Sequence, residues 1–418
     1  MKFDTSYYTL KNGVRILEIP MEGVESIASL VLVKTGSRNE INEQAGISHV
    51  LEHMLFKGSK NYPTPLEVAS AVDALGAEYN AYTGKEYTGY YIHADARHFD
   101  KAVSILSEMI TKPLLKGAEL KREQGVIIEE INMYEDLPQE RAEEEMENVL
   151  YGGSSLGRLI IGTKETVAAT TSATVRAYKD QWYRGGNVLV VLVGKVGSMN
   201  GYKDGQMKRL MEENFGEMPE GPVVSYTTLG MYGRERFYHL KKKTEQAHFA
   251  IGLPGYDMRS SSRYTAKVLA NILGGTMSSR LFTEVREKRG LAYYVRASHD
   301  PLADVGQFTV KAGVRLEKLS EALDVVKDQI LTIGKTVTEK ELRLAKDNLH
   351  GRIVLSLTDP MSVAQYFGHR TLVTDDVMPV GEILKELDRV DLEAIRLAAK
   401  DLLLESEMRT VVVGPKSK

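Results

Sequence analysis

His49, Glu52 and His53 stand as His-x-x-Glu-His within the segment Gly46-Ile47-Ser48-His49-Val50-Leu51-Glu52-His53-Met54-Leu55-Phe56. On a helix advancing about 100° per residue, the two histidines lie about 40° and one turn apart, so both imidazoles can reach a single ion. Glu52 falls about 60° to the other side of His49, near such an ion yet free to hold a water. A catalytic zinc takes three protein ligands and keeps one position open, so two histidines and a remote carboxylate would satisfy it. The chain contains no cysteine, which excludes disulfide scaffolds, cysteine nucleophiles, iron–sulfur clusters and cysteine-ligated zinc. The seven remaining histidines (93, 98, 239, 248, 299, 350 and 369) show no ligand spacing with one another.

A third ligand is available in the stretch from Glu119 to Glu135, which carries Glu119, Glu123, Glu129, Glu130 and Glu135. Val126, Ile127 and Ile131 mark its apolar face. Glu123 and Glu130, two helical turns apart, deviate by only about 20° and can border the same face, while Glu129 sits about 100° away. The pattern leaves these candidates open. Glu143 to Glu147 reads as a solvated acidic face.

The elements that must position these groups alternate between strand and helix. Tyr7 to Leu10 and Val14 to Leu17 flank Asn12-Gly13, a hairpin signal. Ser26 to Thr35 reads as a strand, Ala45 to Phe56 and Pro65 to Leu75 as helices, and Glu78 to Tyr82 and Tyr87 to His93 as strands. Helices follow at Phe99 to Ile110, at Gly117 to Leu150 as one long element, and at Ser172 to Trp182, then the apolar strand Asn187 to Gly194. A Gly/Pro-rich stretch, 216–233, reads as an interdomain linker. Beyond it come strand His248 to Leu253, helices Ser262 to Leu273 and Ser279 to Arg286, and strands Ala292 to Ser298 and Gly306 to Ala312. Helices from Leu316, Thr338, Pro360 and Asp391 follow, with a last strand at Met408 to Val413. This division predicts an α+β chain with domains at 1–215 and 234–418. Leu51-Glu52-His53-Met54-Leu55 overlays Leu269-Ala270-Asn271-Ile272-Leu273, which suggests a duplication in which only the first copy kept metal chemistry.

Length and charge bound the function. The chain has 418 residues, 54 Lys plus Arg against 57 Asp plus Glu, and a net charge of -3. That balance gives no global pull toward nucleic acid or anionic membrane. No apolar run approaches the ~18–20 residues of a membrane helix, and the N-terminus lacks the features of an export signal. Cytoplasmic location is the resulting expectation. Gly274-Gly275 reads as a helix C-cap rather than a phosphate cradle.

With Glu130 following the His-x-x-Glu-His motif after the whole stretch from Met54 to Glu129, the chain resembles the pitrilysin/insulinase zinc peptidases, the inverzincins. Glu123, earlier in the same stretch, is similar to a second family acid near the site. Gly76-Ala77-Glu78-Tyr79-Asn80-Ala81-Tyr82-Thr83 resembles the family's edge strand, with Asn80 and Ala81 at positions that contact substrate backbone. Leu281 to Tyr293 resembles the second domain's Arg/Tyr pair through Arg286 and Tyr293. The length is similar to that of the short subfamily, which includes mitochondrial processing peptidase subunits and bacterial processing-peptidase-like enzymes.

The resemblance implies two duplicated α/β-sandwich domains, each about half of the chain, forming half of a clam-like chamber. It implies one zinc per chain on His49, His53 and Glu130. Glu52 would be the general base toward a water on that zinc, and Glu123, Arg286 and Tyr293 would belong to the catalytic set. A peptide would bind as an added strand at Asn80 and Ala81. The working form would be a homodimeric endopeptidase of unfolded oligopeptides, with neither nucleic acid nor membrane as partner. The alternative, a non-catalytic structural subunit of the same family, would have lost zinc residues, and here all are present. A small-molecule hydrolase fits less well with the edge strand.

Overall fold

The computed structural model describes residues 3–203, 205–226 and 235–415. The first sheet is built from β1 (Ser6–Thr9), β2 (Arg15–Pro20), β3 (Ser26–Val33), β4 (Glu78–Thr83), β5 (Thr88–Asp95) and β6 (Val188–Gly194). Their order is β1-β2-β6-β3-β5-β4. β6, Val-Leu-Val-Val-Leu-Val-Gly, is buried along its whole length, as a continuous apolar run requires of a strand covered on both faces. The hairpin expected around Asn12-Gly13 is present, with Ser6 opposite Glu18 and Thr9 opposite Arg15. β4 is the outer strand and pairs only with β5 in the sheet.

The second sheet contains β7 (Phe237–Lys241), β8 (Gln246–Gly255), β9 (Ala292–Pro301), β10 (Gly306–Arg315) and β11 (Arg409–Gly414), in the order β7-β11-β8-β10-β9. Without β1, the first sheet reads β2-β6-β3-β5-β4, which is the same order. The senses also agree: β2–β6 and β7–β11 are parallel and the remaining pairs antiparallel. The duplication suggested by one pair of helices therefore extends to the complete five-strand topology. β7 escapes the sequence reading because its residues are exposed or half-buried and show no apolar alternation.

Two α+β units result, but they are not the contiguous stretches 1–215 and 234–418. The first comprises Met1–Ile131, Leu159–Ser225 and Val354–Val380, and the second Asn132–Arg158, Tyr226–Ile353 and Gly381–Lys418. Two helices explain the difference. The expected single helix from Gly117 to Leu150 is broken into Gly117–Glu135 and Pro138–Tyr151. Pro138 forces Leu137 into an extended conformation (φ -98°, ψ 96°) and then opens the new helix. Helix Pro138–Tyr151 packs on β8 and β11 of the second sheet, whereas Pro360–Thr374 packs on β3 and β6 of the first. Each sheet is thus covered by a helix from the other half of the sequence. Amphipathic spacing shows that a helix has an apolar face, but not which sheet that face will meet. Of the expected linker 216–233, residues 227–233 lie outside the described residues. No described helix is long and apolar enough to cross a membrane.

Candidate metal centre

The His-x-x-Glu-His segment forms helix Ile47–Leu55. It begins at Gly46, with φ at +90°, and a Cβ there would lie 2.5 Å from the Ile161 carbonyl oxygen. Only glycine meets both demands. The buried carboxylate of Glu40 accepts the Gly46 and Ser48 backbone N–H groups, both at 2.8 Å. It satisfies two orphan donors of the helix N-terminus and complements the dipole. The buried hydroxyl of Tyr178 ties the same turn to the sheet end, 2.8 Å from Ser48 Oγ and 2.9 Å from Thr35 Oγ1.

Helix Gly117–Glu135 brings Glu130 to this helix. Glu130 Oε2 lies 3.7 Å from His49 Nε2 and 3.6 Å from His53 Nε2. One ligand atom from each of the three residues falls within 4.8 Å of the others. Ligands bonded at ~2.0–2.2 Å to a tetrahedral zinc stand roughly 3.3 Å apart, so the triangle needs only a small contraction to fit. No other group of three potential ligands meets this criterion among the described residues. Glu129, adjacent in sequence, is exposed and is not in the triangle.

The charges around the triangle suit a cation. Burial, then the neighbouring His53, lowers the His49 pKa to about 4, so it is a neutral donor at pH 7. For His53 burial pulls downward. Hydrogen bonds to Glu123 and Glu130 and the charge of Glu52 outweigh it and raise the pKa to about 9. His53 Nδ1 donates to Glu123 Oε2 at 3.1 Å, and Lys57 Nζ donates to Glu123 Oε1 at 2.9 Å. A carboxylate can only accept here, so Nδ1 carries a proton in either charge state of the ring; in the metal-free protein at pH 7 Nε2 is protonated as well, toward Glu130, and losing that proton frees its lone pair for a cation. Glu123 therefore lies behind His53, outside the ligand triangle. His49 Nδ1 is buried without a partner.

Glu52, on the same helix, accepts a 2.5 Å hydrogen bond from Thr83 Oγ1 at the end of β4. Burial raises its pKa despite that bond. Asn80 is exposed on β4, and its side chain accepts the Ala81 backbone N–H at 2.8 Å. Arg286 and Tyr293 belong to the second unit. The segment expected as an α-helix is wider there, a π-helical turn over Phe282–Glu287. Arg286 Nη1 donates to the Tyr293 carbonyl at 2.9 Å, with its guanidinium 4.8 Å from the Phe282 ring centroid and 5.6 Å from that of Tyr293. Tyr293 itself is 75% exposed.

Four contributors escaped the sequence reading. Lys57 had a partial signal, since it stands four residues after His53, although the helix itself ends at Leu55. Thr83 had a weaker one in strand alternation with Ala81. Glu40 and Tyr178 reach the helix across turns that no local pattern predicts.

Comparison with known proteins identifies the class to which this fold and site belong. Residues 20–164 match the insulinase family of peptidases, M16, and residues 170–349 match the domain described as the M16 inactive domain. An uncharacterized zinc protease of Bacillus subtilis is 35% identical over 399 residues, covering 95% of either chain. Another, of Streptomyces coelicolor, is 33% identical over 414 residues, covering 97% of this chain and 89% of the relative. The crystal structure of an M16 inactive-domain protein from Pseudomonas fluorescens superposes with a TM-score of 0.91 at 20% identity, covering 99% of this chain and 98% of that one. The chain belongs to the M16 peptidase family.

Proposed function

We propose that the chain is a zinc-dependent endopeptidase that hydrolyses unfolded oligopeptides. The observation that carries this reading is the triangle of His49, His53 and Glu130 with the Glu52 carboxylate held beside it by Thr83. When bound there, zinc would polarise the scissile carbonyl and make an attacking water more acidic. Glu52 takes the proton of that water and returns it to the leaving amine. Its buried, raised pKa moves it toward the range in which a carboxylate can do both. Thr83 fixes which oxygen of Glu52 stays free. Glu123 is a positioning residue that sets the orientation and tautomer of His53. β4, an edge strand, offers its backbone to an extended peptide at Asn80 and Ala81. Arg286 and Tyr293 supply donors for the substrate and the developing oxyanion.

On the same reading one zinc is held per chain, the working form is a cytoplasmic homodimer, and its partners are peptides rather than nucleic acid or membrane. Light scattering on an active preparation tests the dimer, and a monomer with full activity refutes it. The central test is cleavage of unstructured 20–30-residue peptides with and without chelator, beside Glu52→Gln. Chelator-sensitive cleavage that disappears in Glu52→Gln is expected. Cleavage that survives either treatment refutes the mechanism.

A further inference from the structure

Within the second unit lies a cleft of about 860 Å3 that the chemistry above leaves unused except for Arg286 and Tyr293. β9 and the end of helix Arg263–Gly274 form much of its wall. Arg286, Arg296, Lys311 and Arg352 reach it, against one lining carboxylate, Glu143. Glu143 is already paired with Lys311, and Arg286 gives one of its donors to the Tyr293 carbonyl. Arg296 and Arg352 have no acidic partner among the described residues. Arg352 makes one long contact, 3.4 Å, to the Gly275 carbonyl oxygen. Behind them, the buried Arg263 guanidinium bonds, among the described residues, only neutral oxygens, those of Met258, Ser260 and Tyr264. Lys267 lies within the field of Arg352 and Arg263. Desolvation, and then these two cations, lower its pKa. Cations gathered without counter-charge repel one another, and an anion entering the cleft relieves that repulsion.

The duplication shows how the charge arose. Buried Leu120, Ile127 and Ile131 have counterparts, at one constant offset, in buried Leu342, Leu349 and Ile353, and the same offset carries Pro138 to Pro360. Arg352 therefore stands where Glu130 stands in the first unit. Leu51 and Leu55 correspond in the same way to Leu269 and Leu273, which places Lys267 at the His49 position and Asn271 at the His53 position. Asn271 is buried and donates to Asn348 at 3.1 Å. Two of three cation ligands have become cations on the same scaffold.

We propose that this cleft binds carboxylate groups of an acidic peptide segment. The choice of a peptide over a free anion rests on the peptidase reading and on β9. That strand is the outer strand of its sheet, so a peptide extended along it would carry its side chains past Arg296.

The test uses the full chain carrying Glu52→Gln, which prevents turnover. Binding of fluorescein-labelled 20-residue peptides is followed by anisotropy at 50 and 300 mM NaCl. One peptide carries four Glu, and the other carries Gln at the same places. At roughly threefold per cation near the surface, the acidic peptide is expected to bind about tenfold or more tightly at 50 mM. In Lys267→Gln/Arg296→Gln/Arg352→Gln this preference should vanish while the neutral peptide binds as before. Arg296→Lys/Arg352→Lys, which keeps the charge, should retain it and controls for misfolding. Equal affinity for the two peptides in the parent overturns the proposal, as does a preference that survives the triple substitution. Displacement of nothing but labelled tripolyphosphate, without preference for the acidic peptide, overturns it in favour of a free anion. If the binding preference holds but chelator-sensitive cleavage is absent, the peptidase reading fails and the cleft stands.

Discussion

Replacing Glu123 with Gln keeps the shape of the side chain and removes its charge from behind His53. The Glu123 carboxylate is buried, accepts from His53 Nδ1 at 3.1 Å and also receives Lys57 at 2.9 Å. A hydrogen bond to a charged group contributes ~1.5–3 kcal/mol, and outer-shell partners of zinc ligands typically control metal affinity by roughly 10–100-fold. A glutamine oxygen can still accept from Nδ1, so Glu123→Gln should weaken zinc binding by about tenfold. Glu123→Ala, which also frees the imidazole to rotate and strands the Lys57 ammonium, should reach about 100-fold. Competition with a chromophoric chelator at fixed pH gives both dissociation constants, with thermal melts of the metal-free proteins separating affinity from folding. The reasoning fails if both variants bind zinc within twofold of the parent, because Glu123 would then have no hold on the ligand. It fails equally if Glu123→Gln is as damaging as Glu123→Ala, since shape and hydrogen bonding would then count for nothing.

Thr83→Val deletes the hydrogen bond to Glu52 and should lower kcat by roughly tenfold with little change in KM, while Thr83→Ser restores it. An unchanged kcat in Thr83→Val removes Thr83 from the machinery. Gly46→Ala should destabilise the first unit by more than about 1–3 kcal/mol, because positive φ and the approach of the Ile161 carbonyl act together; a melting temperature equal to the parent's contradicts the geometry. Zinc uptake near pH 7.5 should release about one proton, since His53 in the metal-free protein titrates at about 9 and must lose its proton to bind. Calorimetry in buffers of different ionisation enthalpy measures this, and zero net release is the contrary result.

Much of the fold could be read from one-dimensional pattern because the pattern has a direct physical cause. Val188 to Val193 is apolar throughout and is a fully buried strand, and Asn12-Gly13 turns the hairpin it predicts. The two histidines were legible from helical geometry alone. Glu130 was not: residue type left several glutamates open, and the long interval between the motif and Glu130 counts only for a reader who knows the family. Position then separates the two neighbours: Ile127 and Ile131 are buried, Glu130 lies beside the histidines, and Glu129 faces solvent. Thr83 and Glu40 were hidden because they meet their partners across intervening turns rather than along one element. The exchange of covering helices was hidden for a deeper reason. Helices Pro138–Tyr151 and Pro360–Thr374 each carry an apolar face and pack on sheets of the same topology, so which sheet each one covers is set by tertiary packing.

That exchange also sets a timetable for synthesis. Helix Pro360–Thr374 lies so close on the first sheet that a Cβ on Gly368 would come within 2.8 Å of Leu32 and 3.1 Å of Val191. The ribosome has made all six strands of that sheet once Gly194 is added, yet the helix that covers β3 and β6 begins only at Pro360. At ~5–20 residues per second, a bare apolar sheet face persists for roughly ten seconds or more on the nascent chain. The histidine pair is made early, but the helix that covers its sheet follows only after most of the second unit, so the core of the first unit is completed late rather than half by half.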